Sequence, residues 1–575
     1  MNQNRLLFFC CLFLLFVTNN ILFAADVYYL GGNDEIQLGN QRKYSLYERL
    51  HDLCDFSSHR SLSQRSGIIK GRFSTRLEYN KLSGNKSKSF LKEGVDYITE
   101  LNLNLQEKLY SDYIFETELR LRKTDKYSLE PRKDVRVKQY SFKISNPYNL
   151  FAFGDFYGEF SPFTLNSSLE GFNLELKSSE RFNVKMVVAR KNAADEAASK
   201  FQRNVFGIKI DSFPLNHSSL FQKIRVGMQA VSIQDDSATA DRTSSFKDLR
   251  NSIFSIDGEI VFVNNFSVVY EFARSFYLPD EDTSGDKDQS CGNSFHVAPE
   301  FQIGNTIYRY VYNYTQPMFY TDTGSASPDK IQHQFTINHR FNDILSVSFM
   351  ENYYWDHLKN SSLSKRTITD EKDINVDVFP SRARKNLHTR FYNSYMSRNS
   401  DDPANTAESR TITTGFSIAD QFGGTNIDFS YEYRAYSNLA DKSLSEYFNR
   451  INCSFARELQ IFSRRCYLSL NPSVDIRRSK KDFNKDVNLS LSFSGEYYIT
   501  SNVSSRFGYN VIDSNAAEAD KDYENYQNFT EIDWVFGRNK DKHIILKYNL
   551  TRHMNADGDL NYKEMQTILT YTCLF

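Results

Sequence analysis

The chain has little proline, tryptophan and glycine for its length, and no long apolar run follows its N-terminal segment. Its 575 residues include 11 Pro, 2 Trp and 24 Gly, and its mean hydropathy is −0.55. A membrane-spanning helix needs about 20 mostly apolar residues, so the mature chain is not expected to cross a membrane as helices. Scarce proline instead suits uninterrupted β-ladders, because proline cannot donate a ladder hydrogen bond.

Neither sign of charge is in excess, since 70 Lys and Arg face 71 Asp and Glu and the net charge is −1. This balance argues against a nucleic-acid partner. Two of the seven cysteines, Cys10 and Cys11, lie in the N-terminal apolar run. The five that remain are odd in number and widely spaced, so the sequence predicts no disulfide scaffold.

Candidate chemical sites are weak. None of the ten histidines has the spacing of a zinc site. An acidic run at 280–286 begins like an EF-hand loop, but its twelfth position is Cys291, so a solvated loop is the better interpretation. We therefore predict no catalytic residues, no metal, no cofactor and no enzymatic activity.

The N-terminus indicates export. Arg5 precedes an apolar run at 6–17, which predicts a signal peptide over residues 1–25 and Sec-dependent export. Residues 26–67 are expected to form a periplasmic segment that is too small for a folded plug domain. One short helix is predicted there from the helical spacing of Tyr44, Leu46, Tyr47, Leu50 and Leu53.

From residue 68 to residue 575 the hydrophobic period is two. In the first segment Phe73, Leu77 and Tyr79 alternate with Arg76 and Glu78, which gives one apolar and one charged face. Such segments are about ten residues long, as a tilted membrane-crossing strand requires. A soluble sandwich alternates as well, but its strands are typically ~5–6 residues long.

Short and long connections alternate between these segments, as tight periplasmic turns and long extracellular loops do in membrane barrels. The alternation fails near 356–384 unless one strand is added at about 373–379. With that strand the total is 26, an even number that puts both chain ends on one side. We predict 24–26 strands.

The last residues carry a family resemblance. Met565, Thr567, Leu569, Tyr571, Cys573 and Phe575 share one strand face, and the chain ends on Phe575. The segment resembles the closing strand of bacterial outer-membrane β-barrels, with Leu569, Tyr571 and Phe575 as its signature. The resemblance implies an all-β fold, a single transmembrane antiparallel up-and-down barrel in the outer membrane of a Gram-negative bacterium. It also implies contact with lipid and lipopolysaccharide, and insertion by the barrel-assembly machinery.

Alternation assigns charged residues of both signs to the lumen. For most of them a solvated wall held by cross-strand pairs is the simpler interpretation, and a selectivity ring is the alternative. The predicted pore-lining residues are Arg72, Arg76, Glu78, Glu100, Glu116, Glu118, Arg120, Arg122, Glu175, Lys177, Lys185, Arg225, Glu271, Arg309, Glu432 and Arg434.

One predicted loop, within 154–165, is unusually aromatic. It carries Phe156, Tyr157, Phe160 and Phe163, whereas water-facing loops are normally polar. We hypothesise that it folds into the lumen as a constriction, as inward-folded loops do in porin-like barrels. The alternatives are a lipid-facing aromatic belt and an exposed patch for a partner.

Strand number then suggests function, because barrels of 16–18 strands already leave an aqueous channel. The leading hypothesis is an outer-membrane channel for polar solutes or an exported polymer, whose identity stays open. The alternative is a structural or adhesive barrel whose extracellular loops bind partners or surface polysaccharide.

Overall fold

A computed structural model describes residues 67–575 of the chain apart from short gaps. The predicted signal peptide, N-terminal helix and acidic run at 280–286 lie outside the described residues. The gaps are 110–111, 127–128, 130–133, 180, 193–201, 217, 237–238, 240–248, 279–289, 359–364, 381–385, 402–407, 482–484, 517–520, 538 and 557.

The described residues form 26 strands in one sheet. They are β1 Gly67–Gly84, β2 Gly94–Lys108, β3 Ile114–Thr124, β4 Arg136–Ser145, β5 Asn149–Ser161, β6 Leu165–Ser179, β7 Phe182–Asn192, β8 Gln202–Asn216, β9 Phe221–Asp236, β10 Arg250–Phe262, β11 Phe266–Leu278, β12 Ser290–Ile303, β13 Thr306–Thr315, β14 Lys330–Arg340, β15 Leu345–Asp356, β16 Thr367–Val378, β17 His388–Ser400, β18 Ser409–Phe422, β19 Thr425–Asn438, β20 Glu446–Ile461, β21 Arg464–Ser479, β22 Lys485–Tyr498, β23 Val503–Asn515, β24 Tyr523–Phe536, β25 Lys542–Asn555 and β26 Tyr562–Leu574.

The sheet closes on itself. Each strand pairs antiparallel with the next, and β1 pairs with β26 from Arg72 opposite Leu574 to Gly84 opposite Tyr562. The predicted fold class, a single antiparallel up-and-down barrel, is confirmed, and so is the strand range of 24–26. The strand that loop parity required is β16. The described connections also contain short 3₁₀ turns, at Lys86–Lys88 and Lys442–Leu444.

No helix in the described part of the chain has the length and apolar character to span a membrane.

The C-terminal residue completes the seam between the first and last strands. The Phe575 backbone N–H donates to the Gly71 carbonyl at 3.0 Å, and the Gly71 N–H donates back at 2.6 Å. The Phe575 ring occupies the space beside Gly71, where an added Cβ would lie 2.2 Å from a ring carbon. Leu569 and Tyr571 share the outer face of β26.

Strand register separates an apolar outer face from a polar inner face. On the outer face Leu77, Phe254 and Phe272 are each about half exposed, and their neighbours in register point the same way. Exposing so large an apolar surface to water would be energetically unfavourable. The outer face therefore has the character of a surface that lipid covers.

Connection lengths differ between the two ends of the barrel, with the nine-residue connection 379–387 as an exception at the end that carries tight turns. One end carries tight turns such as 304–305 and 462–463, and both described chain ends lie there, whereas the other end carries connections such as 316–329. The β5–β6 turn, 162–164, is the exception on the long-loop end. Here the structure differs from the sequence prediction, because β5 continues to Ser161 and β6 begins at Leu165 where a long loop was expected.

Candidate functional site

The aromatic segment forms a hairpin that leaves the barrel wall. β5 pairs with β4 only from Leu150 to Gly154, and β6 pairs with β7 only from Glu170 onward. In the described register residues 155–169 have no partner on β4 or β7; Asp155 lies opposite Glu170, and Phe156 lies opposite Leu169. We call residues 155–169 the inward hairpin.

Two glycines mark the bend. Gly154 lies opposite Gly171 in the register, and Gly154 has a φ of +101°. A Cβ on Gly154 would lie 2.2 Å from the Tyr140 carbonyl oxygen, and one on Gly171 would lie 2.5 Å from the Val188 carbonyl oxygen. Only glycine allows both strands to turn this close to their neighbours.

Where β5 leaves the wall, a side chain replaces part of the backbone hydrogen bonding that β4 would otherwise make with it. The Tyr140 N–H donates to Asp155 Oδ2 at 2.7 Å, which replaces the strand partner that left. The Tyr140 hydroxyl donates to Glu170 at 2.8 Å, and Arg190 binds both oxygens of Glu170. A polar cluster therefore closes the wall where the hairpin departs.

The inward hairpin packs on the inner surface of the wall. Its Phe160, Leu165 and Leu169 are buried in one apolar cluster, and Leu165 is fully buried. Because these side chains meet inward-facing residues of β7–β9, the hairpin lies inside the barrel. The wall and loop residues of that cluster are Val187, Val205, Val231, Ile233 and Leu249.

The turn of the hairpin enters a second cluster. Phe163 packs with Ile253, Ala273 and Phe319, all buried. Its ring lies 6.0 Å from that of Phe319, edge to face. Phe319 belongs to the β13–β14 connection, residues 316–329, which we call the covering loop.

The covering loop also bonds to the hairpin backbone. The Thr323 hydroxyl donates to the Thr164 carbonyl at 2.6 Å, and the Thr323 carbonyl accepts from the Asn166 N–H at 2.7 Å. The Ser325 N–H donates to the Pro162 carbonyl at 2.7 Å. Hairpin and loop therefore form one joined layer.

The covering loop is fixed to β7 and β8 through Asp322. Arg203 contacts one Asp322 oxygen at 2.7 Å and Lys191 contacts the other at 3.0 Å. Arg203 also binds both oxygens of Asp235. Nearby, burial raises the pKa of the Tyr320 phenol, and the Asp322 charge adds to the rise.

A buried charge network holds the hairpin tip. Lys209 Nζ donates to the Phe160 carbonyl at 2.6 Å and pairs with Asp257 at 3.2 Å. Arg225 contacts Asp257 at 2.6 Å and Asp211 at 2.8 Å. Lys209, Asp211 and Asp257 are all buried, so each charge depends on its partners.

Glu271 forms the other anchor of the tip. It accepts hydrogen bonds from the hydroxyls of Ser161, on the hairpin, and Ser255, on β10. Glu271 is buried beneath the hairpin. This predicted pore-lining residue therefore holds the hairpin instead of facing open lumen.

The strand register places every predicted pore-lining residue on the inner face. Register partners on neighbouring strands lie on the same face, so the assignment passes from strand to strand around the ring. Most have partners of opposite charge, such as Arg122 with Glu100 at 2.6 Å and Lys143 with Glu116 at 2.8 Å. Glu78 is buried between Arg76 and Lys126. The inner wall is polar and largely charge-paired.

The four predicted constriction aromatics divide by face. Phe160 and Phe163 are buried anchors, and Phe156 packs against the first cluster. Tyr157 points to the opposite side and is 56% exposed, with its hydroxyl donating to Asn166 at 2.6 Å. Tyr157 is therefore the aromatic that the hairpin presents away from the wall.

Sequence reasoning missed the covering loop and the Lys209 network. Within the described ranges, no group of three or more His, Cys, Asp or Glu side chains could hold a metal ion.

Comparisons with known proteins find barrels among solved structures. The siderophore receptor PirA from Pseudomonas aeruginosa is 8% identical, with 88% of this chain and 81% of that chain covered at a TM-score of 0.39. A mutant porin of Rh. blastica is 12% identical, with 54% and 98% covered at a TM-score of 0.25. No family model matches the chain, and no curated protein does. Similarity at this level does not assign the chain to a family.

Proposed function

We propose that the chain is an outer-membrane channel for polar solutes or an exported polymer, narrowed on one side by the inward hairpin and covering loop. The observation that carries the proposal is the docking of the hairpin on the inner wall. A segment that leaves the wall and is anchored by Lys209 and Glu271 occupies lumen cross-section. An adhesive barrel has no need of such an internal layer.

The size of the barrel supports passage. With strands ~4.8 Å apart and tilted by ~40°, a circular ring of 26 strands is about 50 Å across between backbones. A hairpin packed on the wall takes about 10 Å of that width. The described internal layer therefore narrows such a lumen on the side of β7–β12 without filling it.

The charge pattern supports weak ion selectivity. Charges on the inner wall are paired across strands, as in Arg450 with Asp475 at 2.8 Å and Arg506 with both Glu496 and Glu531 at 2.9 Å. Paired charges leave little net field to favour one sign of ion. Neutral and charged polar solutes would pass on the basis of size.

The proposed location follows from the outer face, which offers apolar side chains to lipid. Lipopolysaccharide and the barrel-assembly machinery would be its partners there, and Sec-dependent export would deliver it.

Proteoliposome swelling tests the proposal. Liposomes that contain the purified full chain are expected to swell in isotonic sugars, at rates that fall as the sugar grows, because the lumen is open to polar solutes. Protein-free liposomes are the control. Absence of swelling for a mono- or disaccharide, with the barrel shown to be folded on a heat-modifiability gel, contradicts the channel and favours the adhesive barrel.

Deletion of residues 157–166 tests the constriction. The shortened chain is expected to show a higher single-channel conductance in planar bilayers. The rise should be less than about twofold, because two strands about 10 Å wide and 10 Å deep are a minor part of the lumen. A folded deletion variant with unchanged conductance would argue that the hairpin does not restrict flow.

A further inference from the structure

The outer face of β15 and β16 carries charges at mid-strand, whereas the outer face of β10–β12 is apolar there. Glu351 and Lys372 are register partners near the middle of two strands of 12 residues each. They share the outer face with Phe349 and Ile374. At the middle of β10–β12 the same face carries apolar side chains, namely Ile256, Phe272 and Phe295.

The charges form a compact group. Lys372 Nζ lies 3.2 Å from Glu351 Oε1 and 3.1 Å from Asp370 Oδ2. The second Asp370 oxygen, Oδ1, is buried and has no hydrogen-bond partner among the described residues. That oxygen is covered by the chain itself, so the group faces outward mainly through Lys372 and Glu351, whose side chains are 42% and 40% exposed.

Polar side chains continue the patch onto the next strands. On β17, Asn393 lies opposite Ile374 on the outer face, and it donates to the hydroxyl of its own register partner on β18, Thr414, at 2.6 Å. We call Glu351, Asp370, Lys372, Asn393 and Thr414 the polar stripe.

Contact with lipid is energetically unfavourable for the polar stripe. A charged side chain on the lipid face costs most at the middle of the bilayer and little near the interfaces. Other outer-face charges, such as Arg457, lie near strand ends, where headgroups and water solvate them. Glu351 and Lys372 are the two charges that lie at mid-strand, where contact with protein is more favourable than contact with lipid.

We propose that the polar stripe is the interface between two copies of this chain. Both copies insert into the membrane in the same direction, so a two-fold axis that relates them runs along the membrane normal. Glu351 and Lys372 lie side by side on adjacent strands about 4.8 Å apart. A two-fold axis between them sets Glu351 of one protomer opposite Lys372 of its partner, and the reverse pair forms at the same time.

The charge pattern favours a second copy of this chain over another partner. Opposite charges that are register partners are self-complementary under a two-fold axis, so a second copy satisfies the stripe without any new sequence. Two copies in contact here shield these partly exposed charges from lipid.

A charge swap tests the interface without removing the ion pair inside each chain. The double variant Glu351→Lys/Lys372→Glu keeps one acid and one base at the two positions. It is expected to pair with itself, because the opposed charges still match. It is expected not to pair with the wild-type chain, because Glu then faces Glu and Lys faces Lys.

The measurement is co-purification of two differently tagged full chains after co-expression, together with particle mass in nanodiscs. Wild type with wild type is expected to co-purify at the dimer mass, and wild type with the swap variant at least about tenfold less. The matched control is Arg457→Glu, an outer-face charge change away from the stripe, which should mix freely with wild type.

Two results overturn the proposal. One is a wild-type chain that has the mass of a monomer in nanodiscs. The other is a folded swap variant that co-purifies with wild type as well as the Arg457→Glu control does, because the stripe then takes no part in association.

Discussion

Replacement of Lys209 by methionine is expected to release the inward hairpin from the wall. The variant removes the donor to the Phe160 carbonyl and leaves Asp211 and Asp257, both buried, to share Arg225 alone. Removing one partner of a buried charge group costs about 3–5 kcal/mol, because the remaining charge stays buried without compensation. Methionine keeps the length of the side chain, so packing is nearly retained.

Hydrogen exchange of the amides of residues 155–169 measures this release. At the cost above, the hairpin amides should exchange on the order of a hundredfold faster or more. Lys223→Met is the matched control on the same wall, since its pair with Glu259 at 2.7 Å is partly exposed and worth about 0–1 kcal/mol. Equal exchange in the two variants would show that the Lys209 network does not hold the hairpin.

The fold could be predicted from the sequence because its main signal is local. A period of two fixes which side chains share a face, and a charged residue such as Arg120 reveals its face through neighbours two positions away. Loop lengths then fix parity, which is why β16 could be placed although its own outer face carries Asp370 and Lys372. The same charges weaken its apolar pattern.

The internal layer could not be predicted in the same way, because its contacts are distant in sequence. Ser161 meets Glu271 across 110 positions, and Thr164 meets Thr323 across 159. The aromatic residues near 156–163 signalled an unusual segment, but their burial against β7–β11 follows only from closure of the ring. Alternation also identified Glu271 as inward-facing without showing that the hairpin covers it.

Replacement of Gly154 by alanine is expected to prevent the hairpin from leaving the wall in its observed geometry. The position has a φ of +101°, and the new Cβ would lie 2.2 Å from the Tyr140 carbonyl oxygen. Backbone strain of this kind costs about 1–3 kcal/mol. The clash adds about 1–3 kcal/mol more, because the neighbouring β4 backbone must shift.

Gly94→Ala separates the two costs. Gly94 has a φ of +133°, yet a Cβ there would meet nothing within 4 Å. The Gly94→Ala variant is therefore destabilised by backbone strain without a steric clash. The free energy of unfolding, measured by urea titration of the barrel in lipid vesicles, should fall further for Gly154→Ala than for Gly94→Ala by about 1–3 kcal/mol. Equal losses would mean that β4 yields freely beside Tyr140, and that the glycine serves the bend through its backbone conformation and not through the space it leaves.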